Sequence, residues 1–420
     1  MYQLYPRVFQ SNKTQTLFVK TSVPVKCVEI KIQGMEFYTI PHTAQYRIDE
    51  ETRYPFLPMQ AAGENLYAVE YAFAQEQKYS VKVRIDGEEQ TQTYIYAVDE
   101  DLAACKMLKG DTHLHTNRSD GEGTPFEVGC TYRKAGFDFI AITDHHKFEP
   151  SVEGRYAFKA VTDEFTVFCG EEVHNKDMGY FHVVNFGGNA SVNTPILANP
   201  EKMEARVQEI LHSRDFTGAC DALNCAYRIY IAEEIRKVGG LAIMAHPYWD
   251  CYGEYNAQTE DIRYLWKHGD YDALELLAGC DIVGSNGNNL QTALWADLRA
   301  EGIKIPVVGA TDCHSCTGKY TRFNKQFTLV FAENADGVMD AIKAEKSVAV
   351  ERRNDGEYFL FGKYRYVKYA RFLLNFYSPS YDRLTHVHGE ALEKGNGTRT
   401  QEIEKAEEKI AAFRESFFAF

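Results

Sequence analysis

From Lys109 to Ala332 the chain repeats one pattern: short apolar runs alternate with longer stretches of helical period. KGDTHLH reads as a strand, TPFEVGCTYRKAG as a helix, and FDFIAIT and EFTVFCGEEV as two further strands. YFHVVNF comes next, then a helical stretch over 201–238 and the strands GLAIMAHP and DALELL. A helix over 290–300 and the strand IPVVGATD follow. QFTLVFAE and a helix over 336–345 finish the unit. Strands alternating with helices require an α/β architecture with a mostly parallel sheet, open or closed into a barrel.

Residues 1–105 differ. TLFVKTSV, VEIKIQG, LYAVEYAF, YSVKVRIDG and TQTYIYAV alternate apolar with polar residues between turn signals, the pattern of a small β-sandwich domain. Its single histidine, His42, stands outside any chemical cluster. The expected boundaries are 1–105 for this domain, 106–350 for the α/β unit, and 351–420 for a C-terminal appendage. That appendage joins the aromatic segment RYVKYARFLLNFY to a charged helix, TQEIEKAEEKIAAF.

Composition removes several functions. The net charge of −14 and the absence of a basic run disfavour long nucleic acid as a ligand. No apolar stretch reaches the roughly 18 residues of a bilayer span, and MYQLYPRVFQSNKTQ has no basic-then-apolar signal, so the expected location is cytoplasmic. The ten cysteines are scattered and read as reduced thiols. Cys313 and Cys316 have redox or zinc spacing, but a partner pair is missing.

Ten of the thirteen histidines lie between 113 and 314, several at strand ends, where sites form in α/β proteins. His113 and His115 alternate on one strand face and can share an ion, as can Asp312 and His314. Asp120, His145, Glu171, Glu172, His174, His182 and His246 complete the set. One such residue is more often a structural histidine; six such segments converge on a metal cluster. Imidazole with carboxylate suits zinc, manganese or iron. Arg118, Lys147, Lys176 and Arg155 are the candidate cations for an anionic substrate, Arg118 first, and Tyr248 and Trp249 a candidate apolar wall.

The segments HLHTNRSDG, AITDHH, GEEVH, FHVV, AHP and TDCH resemble the polymerase and histidinol phosphatase (PHP) family of metal-dependent phosphoesterases over about residues 109–350. GEEVH and the β-rich start resemble its CehA/McbA-like branch. The resemblance implies a distorted (β/α)7 barrel holding two to three divalent ions (Zn, Mn or Fe), a trinuclear site at most. It implies His113, His115, Glu172 and Asp312 at one ion, Glu172, His182 and His246 at a second, and Asp120, His145 and His314 at a third. Glu172 is preferred to Glu171 because the family's glutamate stands second after the glycine. The family often has histidine where Asp120 stands. Glu172, Asp312, Arg118 and His174 are the expected catalytic residues, and Asp111 and Asp144 are expected to orient imidazole rings.

The expected activity is hydrolysis of a small phosphorylated molecule or short oligonucleotide by a metal-bound hydroxide. A carbamate, amide or ester hydrolase using the same ions is the alternative. A non-catalytic partner-binding protein stabilised by metal is a third reading. The sequence is compatible with a homo-oligomer.

Overall fold

A computed structural model describes residues 2–36, 54–174, 182–251, 253–279, 287–318 and 321–420. Lys176, His42 and Cys280 lie outside them. The chain divides into two compact units, 1–106 with 371–379 and 408–420, and 107–370 with 380–407. The last seventy residues therefore contribute to both.

In the first unit, alternating burial along the strands builds two sheets on one core. The strands are β1 (Tyr2–Tyr5), β2 (Val8–Gln10), β3 (Thr14–Thr21), β4 (Val28–Gly34), β5 (Leu57–Pro58), β6 (Gln60–Gly63), β7 (Leu66–Ala72), β8 (Gln77–Ile85), β9 (Glu88–Glu89) and β10 (Thr93–Val98). One sheet runs β1-β3-β7-β6 and the other β2-β10-β8-β4-β5, with β9 on β8. β8 buries Gln77, Tyr79, Val81 and Val83, every second residue, as a half-wet strand must. Leu17 and Val19 from one sheet meet Ile30, Val81 and Ile95 from the other in a shared apolar core. The late segment joins this unit through its main chain. Arg7 N–H donates to Phe417 O at 2.7 Å, and Ala419 N–H to Val8 O at 2.9 Å.

The second unit is mixed α/β. Its strands are β11 (Lys106–Leu114), β12 (Phe139–Ile142), β13 (Thr166–Phe168), β14 (Gly170–Val173), β15 (Val183–Phe186), β16 (Leu241–Met244), β17 (Asp250–Cys251), β18 (Glu254–Tyr255), β19 (Ala273–Ala278), β20 (Val307–Ala310), β21 (Gln326–Ala332), β22 (Ser347–Arg352) and β23 (Tyr358–Gly362). Two sheets carry the unit, β13-β12-β11-β21-β22-β23 and β14-β15-β16-β19-β20. The expected mostly parallel sheet is corrected here. β11/β12, β12/β13, β16/β19 and β19/β20 are parallel, but β15 runs antiparallel to both neighbours, and β21, β22 and β23 are antiparallel.

Every residue of β12, β14, β15, β16, β19 and β20 is buried, which explains their uninterrupted apolar character. Alternate residues divide between two cores. Leu241 and Ile243 join Phe139, Val184, Ala273 and Val308 in one, while Ala242 and Met244 join the core that contains Ile229 and Ile235 of the helix Ala222–Lys237. At one end the edges of the two sheets meet through isolated parallel bridges, Leu114 with Cys313 and His145 with Glu172. One bridge is made by two site residues, and at the other Leu114 stands between His113 and His115 and Cys313 between Asp312 and His314.

The helix Pro125–Lys134 starts where its sequence demands: Thr124 caps Glu127 N–H, Glu127 reaches back to Thr124, and Pro125 fills the first turn. The expected helical stretch over 201–238 is two helices, Pro200–Ser213 and Ala222–Lys237. Asp221 caps the second, and Gly218 turns the link with φ +99°. Among the described residues no helix is long and apolar enough to cross a membrane.

Candidate metal centre

The strand ends gather the histidines. His113 lies at the end of β11 and His115 directly after it. His145 follows β12, Glu172 is in β14, His182 precedes β15, His246 follows β16, and Asp312 and His314 follow β20. Asp120 comes from the turn after β11, held close by Gly121, where a Cβ would sit 2.6 Å from the His115 carbonyl oxygen. Three site residues have left-handed backbone, His146 (φ 58°), His246 (φ 23°) and Asp312 (φ 48°). Strain of this kind persists only where surrounding structure imposes it.

Glu172 is the centre. Its carboxylate is fully buried, and five imidazole nitrogens surround it: His182 Nδ1 at 2.6 Å, His145 Nδ1 at 2.8 Å, His113 Nε2 and His246 Nε2 at 3.4 Å, and His115 Nε2 at 3.5 Å. Neither oxygen has a hydrogen bond of acceptable geometry, and the buried Nδ1 atoms of His115, His182 and His246 lack one too. Two donors each about 2.1 Å from one ion, at tetrahedral or right angles, stand about 3.0–3.4 Å apart. The contacts of His113, His246 and His115 have about this spacing, those of His182 and His145 are shorter, and lone pairs that converge without sharing protons fit a cation among them.

Three neighbouring groups of donors follow. His113, His115 and Asp312 form one, His113, Glu172 and His246 another, and His115, Asp120, His145 and His314 a third, with donor atoms in each group within 4.8 Å of one another. A fourth joins His145, Glu172 and His174. These groups contain eight of the nine expected ligands; the ninth, His182, stands in none of them and meets the cluster through Glu172, its Nδ1 2.6 Å from Oε1. His174 Nε2 lies 2.9 Å from His145 Nδ1, and its ring stacks on His182 at 4.4 Å. His146 donates its N–H to the Glu172 carbonyl at 3.3 Å, and its ring packs on His174, ring centres 4.0 Å apart.

Electrostatics carry the same message. Burial pushes the Glu172 and Asp312 carboxyls up, but the adjoining imidazoles, His182 and His113 at Glu172 and His113 and His115 at Asp312, hold both well below the carboxylate range. Burial alone would discharge His113, yet Glu172 and Glu275 raise it well above the usual histidine value. Burial and the nearby His182 drop His174 to about 3. Two buried carboxylates therefore call for positive charge, which divalent ions supply while leaving imidazoles neutral as ligands.

Glu171 points elsewhere, accepting from Ser191 Oγ and the Val192 and Asn193 N–H groups. Asp111 and Asp144 correct an expectation: neither bonds an imidazole ring. Asp111 accepts from Thr311 N–H and Oγ1–H, His113 N–H and Tyr132 OH. Asp144 accepts from Thr116 and Ser119. They fix the loops that present the rings.

Glu275, in the middle of the apolar β19, does orient a ring. Its Oε1 is 2.8 Å from His113 Nδ1, and its Oε2 accepts from His246 N–H at 3.0 Å. Its only sequence signal is a carboxylate inside ALELLA, which must find a partner when buried.

The cations also differ from expectation. Arg118 is exposed and paired with Glu153 at 2.8 Å, Lys147 Nζ donates to the Arg118 carbonyl, and Arg155 lies 3.8 Å from Cys169 Sγ. Among the described residues lining the cluster Arg322 is the cation, Nη1 donating to Asp312 Oδ2 at 2.6 Å. A cavity of about 610 Å³ opens here, lined by Asp120, His145, His182, His246, Asp312, His314 and Arg322 with the Trp249 ring. Tyr248 is instead buried, its hydroxyl 2.8 Å from Thr259 Oγ1. Cys313 and Cys316 are both free thiols.

Fold and site together define a mixed α/β protein with a histidine–carboxylate cluster able to hold metal. No protein-family profile matches the chain, and no curated protein does. Among solved structures it is similar to a two-domain protein from Bacteroides vulgatus ATCC 8482 assigned a PHP-like metal-dependent phosphoesterase. The identity is 18%, the TM-score 0.39, and the match covers 59% of this chain and 65% of that one, just under two thirds of its length. It is also similar to a protein from Bifidobacterium adolescentis ATCC 15703 assigned as a metal-dependent phosphoesterase (18%, TM-score 0.38, 56% and 95%). An amidohydrolase from Chromobacterium violaceum with bound sulfate matches at 18%, TM-score 0.32, over 49% and 88%. Likeness at this level carries no functional argument.

Proposed function

We propose that the chain is a metal-dependent hydrolase of the PHP type, a phosphoesterase acting on a small phosphorylated molecule or short oligonucleotide. The carrying observation is the buried Glu172 carboxylate, ringed by five imidazoles and hydrogen-bonded to none. On this reading β11, β12, β14, β15, β16, β19 and β20 form the distorted seven-stranded barrel, its circuit completed by the two isolated bridges.

Two or three divalent ions (Zn, Mn or Fe), when bound, supply activated water and offset the charge spread over a phosphoryl group. His113, His115, Glu172 and Asp312 would hold one, Glu172, His182 and His246 a second, and Asp120, His145 and His314 a third. Glu275 fixes the His113 ring so that Nε2 faces the cluster. Arg322 occupies one oxygen of Asp312 and leaves Oδ1 toward His115, 3.1 Å away. The same guanidinium supplies positive charge beside the cavity, where a phosphate needs it. His174, which is not among the described residues lining the cavity, would act on this reading through His145, 2.9 Å from its Nε2.

Carbamate or ester hydrolysis by the same ions would want an apolar slot, and Trp249 is the one aromatic side chain among the described lining residues. A metal kept only for stability would be closed from solvent, whereas this cluster opens on a cavity.

The test is elemental analysis of protein purified without chelator, with a phosphomonoester, a phosphodiester and a carboxylic ester assayed in manganese. Two or three metal equivalents and phosphate release are expected, both lost in His115→Ala and Glu172→Gln. A metal-free protein, or ester cleavage with silent phosphate esters, removes the assignment.

A further inference from the structure

Beside the cluster, the same unit carries a second cavity of about 270 Å³ that the reading above does not use. Its polar lining is Lys325, Arg352, Arg353, Asn324 and Asn354, with the Phe323 ring, and no carboxylate lines it. Residues 321–325 connect the two places: Thr321 and Arg322 line the cluster's cavity, and Phe323, Asn324 and Lys325 this one. Arg352 N–H donates to Lys325 O at 2.6 Å, which keeps the β22–β23 turn against that segment.

The polar atoms here are arranged with one sign. A lysine can only donate, so each amide that faces one must offer its oxygen. Asn324 Oδ1 accepts from Lys109 Nζ at 2.9 Å, and Asn354 Oδ1 from Lys325 Nζ at 2.6 Å. With both oxygens used, the NH2 groups of the two amides are what remains for a ligand. The guanidinium of Arg353 is held over the Phe359 ring, 4.2 Å from its centre. Several other cations of this acidic chain have carboxylates: Arg206 has Glu233, Arg236 has Asp272, Arg263 has Glu301. Among the described residues no carboxylate lies within ion-pair distance of Lys325, Arg352 or Arg353. An adjoining recess of about 540 Å³ shares those three residues and also meets Glu351 and Asp355, and Asp355 accepts from Glu357 N–H within its own turn.

Amide NH2 groups beside three cations that have no carboxylate in ion-pair contact suit a multiply charged oxyanion, and the Asp382 carboxyl meets Arg352 only through longer-range attraction. We propose that Lys325, Arg352, Arg353 and the amides of Asn324 and Asn354 form a phosphate-binding subsite distinct from the metal cluster. The site stands whether or not the cluster hydrolyses phosphate. Its phosphate is either free or a second phosphoryl group on the molecule that reaches the cluster.

Inorganic phosphate titrated calorimetrically into the full-length protein at low ionic strength tests this. His246→Ala, which weakens the cluster's own hold, should still bind one phosphate. Adding Arg352→Ala and Arg353→Ala should weaken that binding at least tenfold, while Arg352→Lys with Arg353→Lys gives an intermediate loss. Unchanged affinity after removal of both arginines overturns the proposal. If the double alanine variant does not fold, Lys325→Ala in the same background must show at least a threefold loss, and no loss there also overturns it. A metal-free protein that still binds phosphate here would sink the hydrolase reading and keep the subsite. An alkanediol bisphosphate that binds the parent tenfold tighter than the monophosphate assigns the second phosphate to a substrate; equal binding assigns it to free phosphate.

Discussion

At the residue scale, position in space outweighs position in sequence. Arg118 stands two residues before Asp120, yet its side chain leaves for Glu153, while Arg322 arrives at Asp312 from ten residues downstream. Spacing along a loop has no period, so neither direction could be read from letters. The histidines were legible because strand ends alternate; Glu275 was not, because a single carboxylate in a strand reveals no partner. Replacing it tests its role: Glu275→Gln should weaken metal binding about 10–100-fold, read by competition with a chromogenic chelator, with the melting temperature little changed. A second residue makes a pH prediction. Burial pushes the Lys109 ammonium down to about 8 from its ordinary 10.5. Between those values the unfolded chain holds a proton that the folded chain has released, so stability rises with pH there. The penalty is fully present below about 8. The gain is up to about 3 kcal/mol by pH 10.5. Denaturant titrations of the parent and Lys109→Met from pH 7.5 to 10 should show a steeper rise in the parent; parallel curves would remove Lys109 as the cause.

At the element scale, the apolar runs gave away the strands and the stretch TPFEVGCTYRKAG the helix Pro125–Lys134, to which the structure adds a capping box. The helices Glu149–Lys159 and Thr259–Lys267 escaped notice. Neither opens on a capping residue: Phe148 and Gln258 precede them and make no side-chain cap, so no capping signal marks where either helix starts. The antiparallel course of β15 was equally hidden, since a strand buried on both faces has the same letters in either direction. The turn after β11 is the element most exposed to a test. A Cβ on Gly121 would press on the His115 carbonyl, so Gly121→Ala must move the turn and Asp120 with it. The expected outcome is loss of about one metal equivalent, from the group of Asp120, His145 and His314, and about 1–3 kcal/mol of stability. Unaltered metal content would separate Asp120 from the cluster.

At the scale of the whole molecule, residues 408–420 belong with the N-terminal sheets rather than with the helices before them. No compositional shift marks that division, because an amphipathic helix such as Gln401–Phe417 reads the same whichever core receives its apolar face. Removing 408–420 deletes the buried Phe417 ring and the main-chain bonds to Arg7 and Val8. About 3–5 kcal/mol should disappear from the first unit, seen as a lowered melting transition, while metal content in the second unit stays level. The same clasp bears on how fast the first unit can fold. Gln15 Nε2 donates to the Ala419 carbonyl across 404 positions of sequence, so the unit closes only when two distant stretches of chain meet. Closing so long a loop is slow, and refolding of this unit should lag behind that of a sandwich made from one continuous stretch.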